Sequence, residues 1–365
     1  MSERRGQSVP EEPTRDESAS RRPANERAAP MTTAAVVGLG DISALHLAAI
    51  DADPAIELVG VCDVDPSRVA TASGRWGVPG FGSVDELLAS VRPDVVHVTT
   101  PHHQHVPVAL AALEAGVHVL TEKPVAHTVA EAERLRAAAA RASTRVGVVL
   151  QNRYNPTSVA LREALDAGAI GRPVGARAAV WWHRDAAYYA ASPWRGRWME
   201  AGGGVLINQA IHTLDLLLWF LGDAEVVQGS AATLVLGAHI EVEDTATIVL
   251  DHPGGVRSTF FATNTHHTND DVELRIDGEA GSLQLAGGRA ELVTADGVQV
   301  LAVDAQSDGS RSYWGRGHAA LISDFHASLA GPDPFWLGLD AGIAPLRVLR
   351  EVYRQSRVLP SDQPL

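Results

Sequence analysis

Hydrophobic and polar positions change rhythm twice along the chain. Up to about residue 30 almost nothing is apolar: six Arg, six acidic residues and four Pro dominate, and such a stretch cannot bury enough surface to order itself. A disordered tail is therefore expected over 1–30. From Thr33, short β-rich apolar runs alternate with amphipathic stretches, the rhythm of parallel βαβ units. Strands are predicted at 34–37, 57–62, 95–99, 118–121 and 145–150, and helices at 43–52, 66–75, 84–90, 106–115 and 129–142. That is an α/β, doubly wound parallel sheet over 31–150. Beyond residue 151 the texture alters. Helices are predicted near 157–167 and 205–221, then strand-like runs broken by Gly and Asp turns over 225–303, and two closing helices at 318–329 and 341–357. The second unit, 151–365, is thus read as an α+β domain with a large, mostly antiparallel open sheet, its last helices packing back on the first unit.

Composition narrows the function. With 45% hydrophobic and 20% charged residues over 365 positions, the chain is an ordinary globular protein with room for two cores. Its apolar runs are broken by Gly, Asp or Asn before reaching the ~20 residues of a membrane span, so no membrane association is expected. A net charge of -14 without a basic stripe gives nucleic acid no attraction and leaves a small molecule as the partner. The lone cysteine, Cys62, forms no internal disulfide, which fits a reducing compartment, and the cytoplasm is expected. Neither Arg4-Arg5 nor Arg21-Arg22 is followed by an apolar segment, so the tail does not read as an export signal. Met31, directly before the first predicted strand, offers an alternative start.

One count stands out. Of the 30 basic residues, Lys123 is the single lysine and the rest are Arg. Arg is effectively always charged, whereas Lys gives up its proton at accessible cost, which matters for proton transfer and hardly at all for a surface charge.

The motifs gather at strand ends. Gly38-Leu39-Gly40-Asp41-Ile42-Ser43 follows the first strand as a G-x-G-x-x-S version of the dinucleotide fingerprint, with the helix N-terminus aimed at a pyrophosphate. Asp63, 23 residues after Gly40, ends the second strand, where a carboxylate accepts from ribose hydroxyls and repels a 2′-phosphate, favouring NAD over NADP. The fourth strand runs into Thr99-Thr100-Pro101-His102-His103-Gln104-His105. Three histidines so close invite a metal reading, but no carboxylate or thiolate joins them, and a cofactor-lining loop explains the spacing; no metal is expected. Thr121-Glu122-Lys123-Pro124 ends the next strand and brings the lone lysine to the same edge. In the second unit, Gly202-Gly203-Gly204 feeds a helix carrying Asn208, His212 and Asp215 on successive turns. His212 is either a satisfied core histidine or a site residue; a glycine entry that admits a ligand to the backbone favours the site.

Together these segments, from about residue 33 to 357, resemble the glucose-fructose oxidoreductase / inositol dehydrogenase / MocA family of NAD(P)-dependent oxidoreductases, through Glu122-Lys123-Pro124 joined to the Gly-rich helix with His212 and Asp215. The resemblance implies a Rossmann domain followed by an α/β domain whose open sheet makes a homodimer or homotetramer. It implies hydride transfer between nicotinamide and a secondary hydroxyl or keto group of a sugar, sugar derivative or polyol, with Lys123 and His212 handling the hydroxyl proton. The cofactor residues it implies are Gly38, Gly40, Asp41, Ile42, Asp63, Thr100, Pro101, His105, Glu122 and Lys123. Substrate contacts fall on Lys123, Arg153, Asn155, His183, Trp194, Arg195, Asn208, His212 and His318. Many relatives carry Asp where this chain has Asn208, so the division of proton transfer between Lys123 and His212 stays open. The aromatic and Arg-rich stretch from Trp181 to Trp198 suits either a sugar ring or a subunit contact. Two other functions fit the same residues: glycoside processing through a 3-keto intermediate with NAD recycled, and a non-catalytic dinucleotide-binding regulator.

Overall fold

A computed structural model describes residues 31–304 and 317–359. The expected tail over 1–30 lies outside them. The first sheet contains β1 (Thr32–Val37), β2 (Ile56–Cys62), β3 (Gly80–Phe81), β4 (Val95–Val98), β5 (His118–Thr121) and β6 (Val146–Val148) in the order β3-β2-β1-β4-β5-β6. Every pairing in it is parallel. The central strands are buried over most or all of their length and largely apolar, as a sheet covered on both faces requires, with His97 the polar exception in β4. The covers are α1 (Ser43–Ala52), α2 (Pro66–Trp76), α3 (Val84–Val91), α4 (His102–Glu114) and α5 (Val129–Ala139). Helix starts follow local chemistry: Asp65 accepts from Ser67 N–H at the head of α2, Ser83 from Glu86 N–H at α3, and Thr128 from Glu131 N–H at α5. Chain order reverses between β1 and β4, which opens a crevice at the carboxyl ends of these strands.

The second sheet has eight strands in the order β14-β13-β12-β11-β7-β10-β9-β8. These are β7 (Pro173–Trp181), β8 (Val226–Ala232), β9 (Thr245–His252), β10 (Val256–Thr263), β11 (Glu273–Gly278), β12 (Ser282–Ala286), β13 (Arg289–Thr294) and β14 (Gly297–Val303). All pairs are antiparallel except β7 with β10. The hydrophobicity pattern missed β7, whose outer positions Gly175, Arg177 and Ala179 blur its alternation. Helices α6 (Pro156–Asp166), α7 (Ala186–Ala191), α8 (Trp198–Ala201) and α9 (Ile211–Leu221) precede or cover this sheet, and α10 (Gly317–Ser328) and α11 (Leu339–Ser356) return to the first unit. On its covered face, Phe260 and Ile248 are almost fully buried; Thr259, Phe261, Arg177 and Val249 point the other way. The run Trp198–Leu221 is long and apolar enough to span a membrane, yet 83% of its window is buried inside the protein, as a core helix.

The helix predicted over 205–221 begins differently: Leu206–Ala210 is a π turn before α9. The glycines ahead of it also do something other than expected. A Cβ on Gly202 would sit 1.9 Å from His127 O, on Gly203 2.3 Å from Tyr353 Oη, and on Gly204 1.8 Å from Glu243 O. The run is a packing joint rather than an opening for a ligand. Glu243 completes it, accepting from Gly204 N–H (2.7 Å), Leu206 N–H (3.0 Å) and the Tyr353 hydroxyl (2.8 Å). Burial pushes the Glu243 carboxyl up to about 7 against those bonds.

The two glycine sites separate by denaturation of the ligand-free protein. Gly204→Ala forces backbone apart and is expected to remove about 3 kcal/mol of stability. Gly40→Ala, whose Cβ meets nothing within 4 Å, should stay within about 0.5 kcal/mol of the parent.

Candidate active site

A single cleft of about 1330 Å³ runs from the glycine turn after β1 to the head of α9. That exceeds the ~300–1,000 Å³ of a drug-sized site, leaving room for a dinucleotide and a further small molecule. At one end, Gly38 has φ 93°, and a Cβ there would lie 2.6 Å from Thr100 N, so the turn closes on the β4 loop only with glycine. Gly40, by contrast, faces open space. Helix α1 has no side-chain cap and no acidic residue in its first turn, so the positive end of its dipole is left to an anion. Asp63 accepts from Leu39 N–H at 2.6 Å and from Asp65 N–H at 2.9 Å, which pins the carboxylate beside the turn. Open backbone at Gly40, an uncapped helix and an acid at the end of β2 fit an NAD dinucleotide.

Ser67, Arg68, Thr71, Arg75 and Trp76 continue the lining beyond Asp63. Sequence reasoning missed them because they lie on the outer turns of an ordinary amphipathic helix, α2, with no motif of their own. His105, expected at the cofactor, lines the cleft but its Nδ1 and Nε2 face the carbonyls of Pro124 (2.7 Å) and Thr100 (2.8 Å). It therefore braces the two loops that carry Pro101 and Lys123. Among the described residues no group of His, Cys, Asp and Glu is arranged to hold a metal.

The chemistry converges deeper in. Lys123 Nζ donates to the carbonyl oxygen of Asn208 at 2.8 Å, inside the π turn, where the regular carbonyl ladder is broken. Burial pushes Lys123 down to about 8; Glu122 works against this and Arg195 adds to it. His212 Nε2 lies 3.2 Å from Gln151 Nε2 and its Nδ1 has no partner. Burial and the Lys123 charge hold its pKa well below the ordinary histidine value, so it is neutral near neutral pH. His318 also lines the cleft, its Nε2 3.5 Å from Glu122 Oε1. Burial would raise Glu122, but His318 and His46 outweigh it and hold the carboxyl well below its usual range. Several buried polar atoms along this stretch have no protein partner: Asn208 Nδ2, Gln151 Oε1, Asn152 Oδ1 and Thr100 Oγ1. Buried polar groups are normally satisfied, so this cluster is suited to a ligand rich in hydroxyls. Gln151, contributed by the turn after β6, was not picked out because a lone Gln carries no signature.

The outer wall is aromatic and basic. Trp182, His183, Arg184, Tyr188, Trp194 and Arg195 all line the cleft, with Arg195 4.6 Å above the Tyr188 ring and Arg184 5.1 Å from it. Arg195 reaches Asp41 at 3.6 Å and so joins this wall to the glycine turn. Much of the 181–198 stretch thus lines the cleft.

Two expected contacts lie elsewhere. Arg153 makes two bonds to Asp215, at 2.9 and 2.6 Å, and stacks on Trp219; neither it nor Asn155 lines the cleft. Asn155 instead stands at the head of α6 with Oδ1 beside Gly317. The reason is charge: Asp215 is fully buried on α9 and takes the nearest cation.

Comparison with known proteins gives the same outline. Residues 32–150 match the family model described as an oxidoreductase family NAD-binding Rossmann fold, and residues 158–284 match the GFO/IDH/MocA C-terminal domain. A D-apiose dehydrogenase from Paraburkholderia graminis is 29% identical over 271 residues, covering 73% of this chain and 70% of the relative. An inositol 2-dehydrogenase from Rubrobacter xylanophilus is 31% identical, covering 68% and 70%. The crystal structure of the WlbA dehydrogenase from Bordetella pertussis in complex with NADH and UDP-GlcNAcA superposes with a TM-score of 0.79 at 30% identity, covering 91% of this chain and 99% of that one.

The Arg153–Asp215 pair yields a clean separation of structure from binding. Arg153→Leu should lose about 3–5 kcal/mol in urea denaturation, and Arg153→Leu with Asp215→Leu should regain most of it. NAD affinity should be unchanged in the double variant; a large loss there with full stability would return Arg153 to the cleft.

Proposed function

The chain belongs to the GFO/IDH/MocA oxidoreductase family and is an NAD-binding oxidoreductase, and from that premise we propose that its cleft interconverts a secondary carbinol and a ketone on a sugar or polyol. The observation that carries this reading is the convergence of Lys123 and His212, from different units, in the cleft that begins at the glycine turn. A binding module needs neither a lysine held at about 8 nor a buried neutral imidazole.

NAD, when bound, supplies the acceptor for a hydride from carbon. In this reading Gly38, Gly40, Asp41 and Ile42 hold its pyrophosphate at the head of α1. Asp63 takes the adenosine ribose, and Thr100, Pro101 and Glu122 border the nicotinamide end. Lys123 points at the reacting hydroxyl and accepts its proton, a role that needs the neutral amine and hence the burial that lowers it. His212, neutral and tethered by Gln151, orients the same hydroxyl through its free Nδ1. Asn208 serves twice, its carbonyl aiming Lys123 and its unpartnered Nδ2 offering a donor to a neighbouring hydroxyl. That is how the site works without the carboxylate that many relatives carry at this position. Trp194, Tyr188, His183 and Arg195 cover the sugar ring from outside, and His318 closes the inner side. The outer face of the second sheet, with Phe261, Trp181 and Val249 among Arg177 and Arg257, is the surface through which we expect two or four copies to associate.

The test of function is nicotinamide absorbance with NAD across free sugars, inositols, glycosides and nucleotide sugars, with product analysis. NADH with one substrate class supports the reading; glycoside cleavage without NADH contradicts net dehydrogenation. Lys123→Ala should lose about 10²- to 10⁴-fold in kcat while still binding NAD. In the oxidative direction the parent's kcat/KM should rise with pH and level off above about 8, because only deprotonated Lys123 accepts the proton. A flat profile across that value removes Lys123 as the base.

A further inference from the structure

Gln151 and His212 meet in the wall of the cleft. Gln151 opens the turn Gln151–Tyr154 after β6 and is nearly fully buried, and α10 packs hard on its backbone: a Cβ on Gly317 would lie 2.0 Å from Gln151 O. His212 stands in the first turn of α9, just past the π turn. Gln151 Nε2 lies 3.2 Å from His212 Nε2, and among the described residues no other hydrogen bond reaches the ring. Beyond that bond each side chain keeps one buried polar atom without a protein partner, Oε1 on Gln151 and Nδ1 on His212. A pair that served only the core would be satisfied at both ends; this one is joined on one side and left open to a ligand on the other.

The contact determines where the His212 proton sits. An amide nitrogen carries two hydrogens and does not accept, so Gln151 Nε2 donates and His212 Nε2 accepts. The titratable groups facing the ring are Lys123, Glu122 and His318; burial and the Lys123 charge outweigh the pull of Glu122 and keep the imidazole neutral. A neutral imidazole has a single N–H, and with Nε2 accepting, that hydrogen is on Nδ1. The nitrogen left for a ligand is therefore a donor, with no lone pair to take a proton.

We propose that Gln151 is a positioning residue that fixes His212 as a hydrogen-bond donor to the reacting oxygen and so leaves Lys123 as the single base of the site. This rests on the dehydrogenase reading above. In oxidation the carbinol C–H bond breaks and its electron pair leaves with the hydride for the nicotinamide. The O–H bond breaks with its proton passing to the lone pair of the Lys123 amine, and the pair left on oxygen closes the C=O double bond. His212 ends the step with the proton it began with. One arrangement then serves both ends of the reaction: the carbinol oxygen gives its hydrogen to Lys123 and accepts from Nδ1–H, and the ketone oxygen accepts from both. The opposite tautomer would turn a lone pair on the ketone oxygen and repel it. A donor already in place where negative charge develops needs no reorganisation during the step. Gln151 Oε1 remains an acceptor for a neighbouring hydroxyl.

Nitrogen NMR of full-length protein, labelled at the histidine ring nitrogens and saturated with NADH, reads the tautomer; the His212 signals are those absent from His212→Asn. The parent should carry hydrogen on Nδ1 and none on Nε2, and Gln151→Leu should show the Nε2–H form or a mixture. Hydrogen on Nε2 in the parent, or an unchanged Nδ1–H form in Gln151→Leu, overturns the assignment. Kinetics with the panel sugar that reduces NAD fastest read the role. Asn places an amide nitrogen where the ring has Nδ1, and it donates without ever acting as a base. His212→Asn should stay within about tenfold of the parent kcat, whereas His212→Leu should lose about 10²- to 10³-fold. Equal losses in the two variants overturn the donor role and leave the dehydrogenase standing. A parent that forms no NADH with any sugar removes the dehydrogenase reading and the donor role with it, and the tautomer measurement still decides whether Gln151 sets the ring.

Discussion

Everything in this molecule turns on one hydrogen bond across two units, from Lys123 Nζ to the carbonyl of Asn208. Lys123 stands at the carboxyl end of β5, where a doubly wound sheet presents its loops, and Asn208 stands at the entry to α9, which belongs to the second unit. Neither unit holds a complete site. The bond requires α9 to begin in a π turn, and the π turn is seated by Glu243 and the three glycines packed against His127 and Tyr353. A joint that does not itself line the cleft therefore sets the direction of the lysine.

The same constraint explains the electrostatics. Packing the second unit over the strand ends buries Lys123, His212, His318 and Glu122 together, and burial penalises charge on each. Only Glu122 keeps its charge outright, because His318 and His46 outweigh its burial. The amine is brought near neutral pH, and the imidazoles are left uncharged. The proton taken from a hydroxyl in such a place comes to rest on Lys123, whose burial brings it to about 8.

Much of this was legible in the sequence. The alternation of β-rich and amphipathic runs fixed the first unit, since parallel strands buried on both faces are largely apolar, and Gly38, Asp63 and Lys123 each follow a strand by position alone. A lysine standing alone among arginines pointed to the proton chemistry. What escaped depended on contacts between distant segments. Arg153 reads as a pocket cation until Asp215, 62 positions away, is seen to claim it. The run 202–204 reads as room for a ligand until His127, Tyr353 and Glu243 fill that room. Gln151 is one glutamine among others until the turn after β6 meets α9 and makes it the partner of His212.

The central claim is that hydride passes directly between bound nicotinamide and one carbon of a polyhydroxylated substrate held by Lys123 and His212. The most direct measurement uses substrate deuterated at each carbinol carbon in turn and follows the label by mass spectrometry and NMR. Transfer of deuterium from a single carbon to the nicotinamide ring, without loss to solvent, is the expected result. Label lost to water from every position, or retained on a substrate that nevertheless changes, would contradict it.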